Sequence, residues 1–189
     1  MQILLGVTGS IAAYKACDLV SRARKRGHQI RVMMTASAGK LVTPTTFEAL
    51  SEHPVLTDTF AGTTSTMDHI TWAKWAEILV IAPLSANSLG RLACGLADEV
   101  VSTVAMALPR GVPAVLAPAM NTEMWLHPVV QRNLRWLADL ERYTVVAPVE
   151  KRLACGDFGM GGMVEVEEII RIVEELGAVP QRNPSGTPE

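Results

Sequence analysis

Ile3-Leu4-Leu5-Gly6-Val7-Thr8-Gly9-Ser10-Ile11 is the stretch on which the fold turns. An almost wholly apolar run breaks at a glycine turn and leads into a segment of helical periodicity. A strand with no polar face is buried on both sides, the mark of a parallel sheet covered by helices. The pattern recurs along the chain: apolar runs over 30–34, 78–82, 114–117 and 143–146 join 3–7 as predicted strands. Segments 11–26, 85–97, 100–108, 128–140 and 164–176 read as helices between and after them. Such alternation predicts a doubly wound, Rossmann-like α/β fold, a parallel sheet with helices on both faces. Pro44, Pro83, Pro113, Pro118 and Pro148 fall next to predicted element ends, where a fixed φ and a missing N–H do least harm.

With 189 residues, 49% of them apolar, the chain has the length of one domain and enough apolar content for its core. The domain is expected over 1–178, and 179–189, with Pro, Ser, Gly and Thr and little to bury, as a flexible tail. A formal net charge of −2 without a block of Lys or Arg argues against nucleic acid as a partner. No run approaches the roughly 18 apolar residues of a membrane span, and the first residues lack a signal peptide's basic flank and cleavage site. Cys17, Cys94 and Cys155 are too scattered for a disulfide framework or a metal knuckle, so a cytoplasmic protein without a metal site is expected. Cys17 and Cys94 sit on helical stretches and read as core.

Ligands of an open parallel sheet bind beyond the carboxyl ends of its strands, so the loops after the predicted strands carry the function. In Gly6-Val7-Thr8-Gly9-Ser10-Ile11 a glycine turn meets a helix start, suited to one phosphate through backbone N–H groups and the Ser10 hydroxyl. The plainer reading is a tight turn with Ser10 as a helix cap. No GxGxxG fingerprint is present, and no acid ends the second strand, which leads into Met34-Thr35-Ala36-Ser37; a mononucleotide is favoured over a dinucleotide. After the third strand, in Ala82-Pro83-Leu84-Ser85-Ala86-Asn87-Ser88, Ser85 suits a helix cap and Asn87 a heterocycle edge or a ribityl hydroxyl.

The fourth strand runs into Pro118-Ala119-Met120-Asn121-Thr122-Glu123-Met124-Trp125. One amide among apolar side chains suits a pocket that grips a carboxylate, although Met124 and Trp125 also read as core. His69, read as part of a loop before the third strand, is a candidate base because histidine titrates near neutrality. His28, His53 and His127 have no companion motif. Finally, Arg152 to Met163 holds four glycines within seven positions and reads as a mobile loop able to carry Cys155 over a ligand. Acid, nucleophile and bystander are all compatible with that cysteine.

Taken in order, Gly9-Ser10-Ile11, His69-Ile70, Pro83-Leu84-Ser85-Ala86-Asn87, Pro118-Ala119-Met120-Asn121 with Met124-Trp125, and Ala154-Cys155-Gly156-Asp157 resemble the homo-oligomeric flavin-containing cysteine decarboxylases. Gly162 stands where two-domain bacterial members usually carry arginine, and Thr71-Trp72-Ala73-Lys74 departs from an acidic and doubly basic pattern. The resemblance implies FMN as cofactor and decarboxylation of 4'-phosphopantothenoylcysteine, a step of coenzyme A biosynthesis. It implies a thioaldehyde and then an enethiol, because a simple amino-acid carboxylate has no electron sink of its own.

It further implies His69 as base, Asn121 as the carboxylate's partner and Cys155 as the acid that protonates the enethiol. Gly9, Ser10, Ile11, Ser37, Pro83, Ser85, Asn87 and Ser102 would face the flavin, and Met124, Ala154, Gly156 and Asp157, with Asn121, the substrate. The flavin is expected between subunits of a homotrimer. Three rivals share the fold: flavin prenyltransferases, decarboxylases acting on a peptide's C-terminal cysteine, and flavin-binding regulatory subunits of phosphatases. The Asn121 amide and the Cys155 loop argue against the prenyltransferase. Retention of His69, Asn121 and Cys155, with one acid in the last ten residues, favours an enzyme over a regulatory subunit; the peptide decarboxylase is the closest alternative.

Overall fold

A computed structural model describes residues 1–59, 68–152 and 158–178. Its elements are, in chain order, β1 (Gln2–Val7), α1 (Ala13–Lys25), β2 (Gln29–Met34), α2 (Ala36–Gly39), α3 (Pro44–Ser51), α4 (Asp68–Trp75), β3 (Ile78–Leu84), α5 (Ala86–Cys94) and α6 (Val100–Ala107). There follow β4 (Ala114–Pro118), α7 (Thr122–Leu126), α8 (Pro128–Ala138), β5 (Tyr143–Val145), β6 (Val149–Arg152), β7 (Phe158–Gly162) and α9 (Val166–Ala178). The first five strands form one sheet in the order β2-β1-β3-β4-β5, every pairing parallel. The chain leaves β1 for one edge and returns past it to β3, so the order reverses between β1 and β3. A crevice opens at such a reversal, beyond the strand ends.

Side chains alternate faces along a strand, and here both faces are buried. Ile3, Leu5 and Val7 of β1, with Ile78, Val80 and Ala82 of β3, join one core layer against α1, α3 and α9. Leu4, Leu79, Ile81 and Leu84 join the other, with residues of α4, α5, α6 and α8. That two-sided burial is why the strands read as unbroken apolar runs.

Three readings need correcting. His69 lies in α4, not in a loop. Part of the glycine-rich segment is a strand: β7 pairs antiparallel with β6 in a hairpin separate from the main sheet, which glycine accommodates where the backbone runs close to its neighbours. Cys94, the last residue of α5, is exposed, whereas Cys17 packs against the core with its thiol pushed up by burial. The expected tail, 179–189, lies outside the described residues. Among the described residues, no helix is long and apolar enough to cross a membrane.

Candidate functional site

Thr8 ties the crevice together. Its buried hydroxyl donates to the Pro83 carbonyl at 2.7 Å and accepts from the Ser85 N–H at 2.8 Å. One side chain thereby fixes the end of β1 against the end of β3, where the Ala82-Pro83 peptide is cis. Ser85 then caps α5 by accepting from the Ser88 N–H. Next to Thr8, Gly9 runs so near α2 that an added Cβ would sit 2.6 Å from the Ser37 Cβ, which leaves room only for glycine.

The loop after β1 is a turn rather than a cap. Helix α1 begins at Ala13, and Ser10 donates its amide to the Thr8 carbonyl at 2.8 Å. Among the described residues, the Gly9 and Ile11 amides have no protein acceptor. Two neighbouring N–H groups without partners beside a helix start are suited to a phosphate.

These residues open onto a cavity of about 600 Å³, within the range of small-molecule and cofactor sites. Gly9, Ser10, Ile11 and Ser85 line one side, with Met120, Asn121 and Met124 from the loop and helix after β4. The β6–β7 hairpin supplies Lys151, Arg152, Gly161 and Gly162. The Met120 N–H donates to the Gly161 carbonyl at 2.9 Å, docking the hairpin on the Asn121 loop. Gly161, at φ +136°, is required there, because any Cβ would overlap the Met120 carbonyl oxygen.

Asn121 is the N-cap of α7: its Oδ1 accepts from the Glu123 N–H at 2.8 Å. That bond fixes the orientation of the amide, whose Nδ2 is the end suited to a carboxylate. The structure thus joins Gly9, Ser10, Ile11, Ser85, Asn121 and Met124 in one cavity. Pro83 and Ser37 support its loops rather than line it. Asn87 is exposed on α5, away from the lining. Ser102 does not line it either: its amide donates to the Glu99 carboxylate and its hydroxyl to the Glu99 carbonyl, at the buried start of α6. His69 is half-buried on α4, which packs against α6 and β1, and is also outside the lining. Ala154, Cys155, Gly156 and Asp157 lie outside the described residues. Thr8, Lys151 and Tyr14, which borders the cavity too, were not singled out by sequence reasoning.

The site's electrostatics are positive at the hairpin edge. Lys15 donates to the Glu165 carboxylate at 2.8 Å and to the Met163 carbonyl at 3.4 Å. Lys15 holds Glu165 below the usual carboxylate range, by hydrogen bond first and charge second. Burial, and then Lys15 beside it, push the Lys151 ammonium below the usual lysine range.

A parallel sheet of this order, with a phosphate-suited turn at its switch point and a cofactor-sized cavity, defines a doubly wound mononucleotide-binding protein. The chain belongs to the Flavoprotein family, whose profile matches residues 1–177. It is 42% identical over 175 residues to a probable phosphopantothenoylcysteine decarboxylase of Streptococcus mutans, covering 92% of this chain and 97% of that protein. It is 43% identical over 174 residues to the coenzyme A biosynthesis bifunctional protein CoaBC of Bacillus subtilis. There the match covers 92% of this chain but only 42% of the longer protein. Among solved structures it resembles the FMN-dependent cysteine decarboxylase SpaF, with a TM-score of 0.81, 31% identity and coverage of 95% of this chain and 98% of that one.

The residues present fit such a cofactor. The Gly9 and Ile11 amides, without acceptors among the described residues, would hold a phosphate, and exposed Ile11 and Tyr14 would offer an apolar wall to a planar ring.

Proposed function

We propose that this chain decarboxylates 4'-phosphopantothenoylcysteine to 4'-phosphopantetheine in coenzyme A biosynthesis, with FMN as cofactor. The observation that carries the reading is the meeting of the 9–11 phosphate loop and the fixed amide of Asn121 in one cavity. The likeness to the Streptococcus mutans protein and to SpaF supports it.

Bound FMN supplies a reversible two-electron exchange with the substrate's sulfur, which gives the departing carboxylate an electron sink. Gly9, Ser10 and Ile11 hold its phosphate, Ser85 borders the flavin, and Ser37 and Pro83 support those loops. Asn87 and Ser102, which lie outside the cavity of their own chain, would meet the flavin only from a neighbouring copy. Asn121 donates to the substrate carboxylate. A neutral amide orients that group without the strong ionic stabilisation that would oppose its loss. Met120 and Met124 make the surroundings apolar, which favours neutral CO2 over the charged carboxylate. His69 is the base and Cys155 the acid that protonates the enethiol, with Ala154, Gly156 and Asp157 flanking the substrate.

The active form is a homotrimer in the cytoplasm. Ile11, Tyr14 and Met124, at the cavity, are 60%, 61% and 47% exposed in the single chain, an apolar surface that a second copy would cover. His69 is absent from the cavity of its own chain, so the neighbouring copy delivers the base.

Purified protein is expected to be yellow, to release FMN on denaturation, and to liberate CO2 from 4'-phosphopantothenoylcysteine. Recovery of FAD, or CO2 released only from a peptide ending in cysteine, would sink the reading.

A further inference from the structure

We infer that Lys151, with Arg152 beside it on β6, forms an anion subsite that receives the phosphate of the substrate and so selects a phosphorylated cysteine derivative. The inference rests on the decarboxylase reading for the identity of the ligand, but its physical basis is separate.

Lys151 is held in the cavity wall by its stem. The side chain lies flat across Gly162, where any Cβ would overlap its Cε. Its charge therefore has a defined place at the cavity edge rather than the freedom of a surface lysine. Among the described residues, some arginines are ion-paired, Arg22 with Asp18, Arg24 with Glu52, Arg91 with Asp98 and Arg171 with Glu168, and others such as Arg110 and Arg135 are not. What sets Lys151 and Arg152 apart is their place in the cavity lining. Neither Lys151 nor Arg152 has an ion pair among the described residues.

The groups facing Lys151 sharpen the point. Lys15 of α1 lies against it, and Glu165, before α9, is committed to Lys15 at 2.8 Å. Lys15 and Lys151 share the Glu165 carboxylate, and in the cavity lining itself Lys151 is joined by a second cation, Arg152. Like charges held together in a partly dry wall are costly unless an anion joins them. The lowered proton affinity of Lys151 has that cause after burial, and a bound dianion would reverse it.

Three anionic groups must be seated in this cavity, and each has a distinct partner. The cofactor's phosphate has the Gly9 and Ile11 amides, and the substrate's carboxylate has the neutral amide of Asn121. The substrate's phosphate stays intact and remote from the bond that breaks. Full cations there contribute binding energy without stabilising the carboxylate that must leave.

The test uses FMN-loaded protein and compares binding of 4'-phosphopantetheine with that of pantetheine by calorimetry. The phosphorylated ligand is expected to bind at least about tenfold more tightly, the scale of one charge-assisted hydrogen bond. Lys151→Met, which keeps the stem over Gly162, should lose most of that preference, and Lys151→Arg should retain it. No preference in the parent protein, or an undiminished one in Lys151→Met, overturns the subsite. Loss of flavin affinity in Lys151→Met with the ligand preference intact assigns the lysine to the cofactor's phosphate and also overturns it. If the preference depends on Lys151 yet 4'-phosphopantothenoylcysteine yields no CO2, the decarboxylase reading falls and the anion subsite stands.

Discussion

At Asn121 two roles meet in one side chain, and substitution separates them. Its Oδ1 caps α7, while the whole residue lines the cavity. Asn121→Asp keeps an oxygen for the Glu123 N–H, so melting should change little; yet it sets a negative charge where the substrate's carboxylate belongs, and kcat/KM should fall by about a hundredfold or more. Asn121→Ala loses the cap as well, at a cost of about 1 kcal/mol of stability. Near-normal turnover by the aspartate variant would remove Asn121 from the carboxylate site. Asn121 and Gly9 were legible in the sequence because each stands in a short local pattern with its own chemistry. Thr8 was not, since its partners Pro83 and Ser85 lie more than seventy positions away and only the fold brings them near. Lys151 was hidden for the same reason: Gly162 and Lys15, which give it meaning, reach it only through the hairpin and α1.

Among the elements, those with a long apolar run or a clear helical stripe announced themselves, and those that are short or irregularly patterned did not. All five strands of the main sheet and the five expected helices stand where apolar runs and periodicity put them, within a few residues. The β6–β7 hairpin was missed because Val149-Glu150-Lys151-Arg152 alternates for only four residues, and its partner strand is mostly glycine. Helix α4 was missed because three of its eight residues are histidine or tryptophan and its apolar positions make no clear stripe. Its anchor is electrostatic as well as apolar. Arg31 of β2 places its guanidinium 4.4 Å from the Trp75 ring centroid and 5.6 Å from that of Trp72. Burial lowers the proton affinity of Arg31, but a guanidinium stays charged at any working pH. Arg31→Ala should therefore destabilise the protein by about 1–2 kcal/mol through the lost cation–π contact and stem packing. The same variant should also speed amide exchange in α4 more than in α1, measured by hydrogen–deuterium exchange. Uniform acceleration across both helices would mean that Arg31 supports the sheet and not the helix that carries His69.

For the molecule as a whole, the geometry of one chain leaves the proposed chemistry incomplete, and that incompleteness can be tested without a structure of the assembly. Asn121 borders the cavity of its own chain, whereas His69 lies on a helix outside that lining. If each cavity takes Asn121 from one copy and His69 from the next, two inactive proteins can repair each other. In His69→Asn the cavity amide is intact, and in Asn121→Asp the base is intact. Neither variant alone should turn over, because each lacks one group at every site. Co-expressed in equal amounts with two different affinity tags and purified through both, they should form mixed trimers under the proposed assembly. With random assortment, about a quarter of the sites combine an intact Asn121 with an intact neighbouring His69, and activity should return to roughly that fraction of the parent. Purification through both tags raises the fraction somewhat, since it discards the unmixed trimers. If both groups serve the same chain's cavity, no mixture can assemble a complete site, and the mixed trimers should be as inactive as either parent variant. Size-exclusion chromatography with light scattering on the same preparation checks the trimer itself, and a monomer with full activity would overturn the shared site outright.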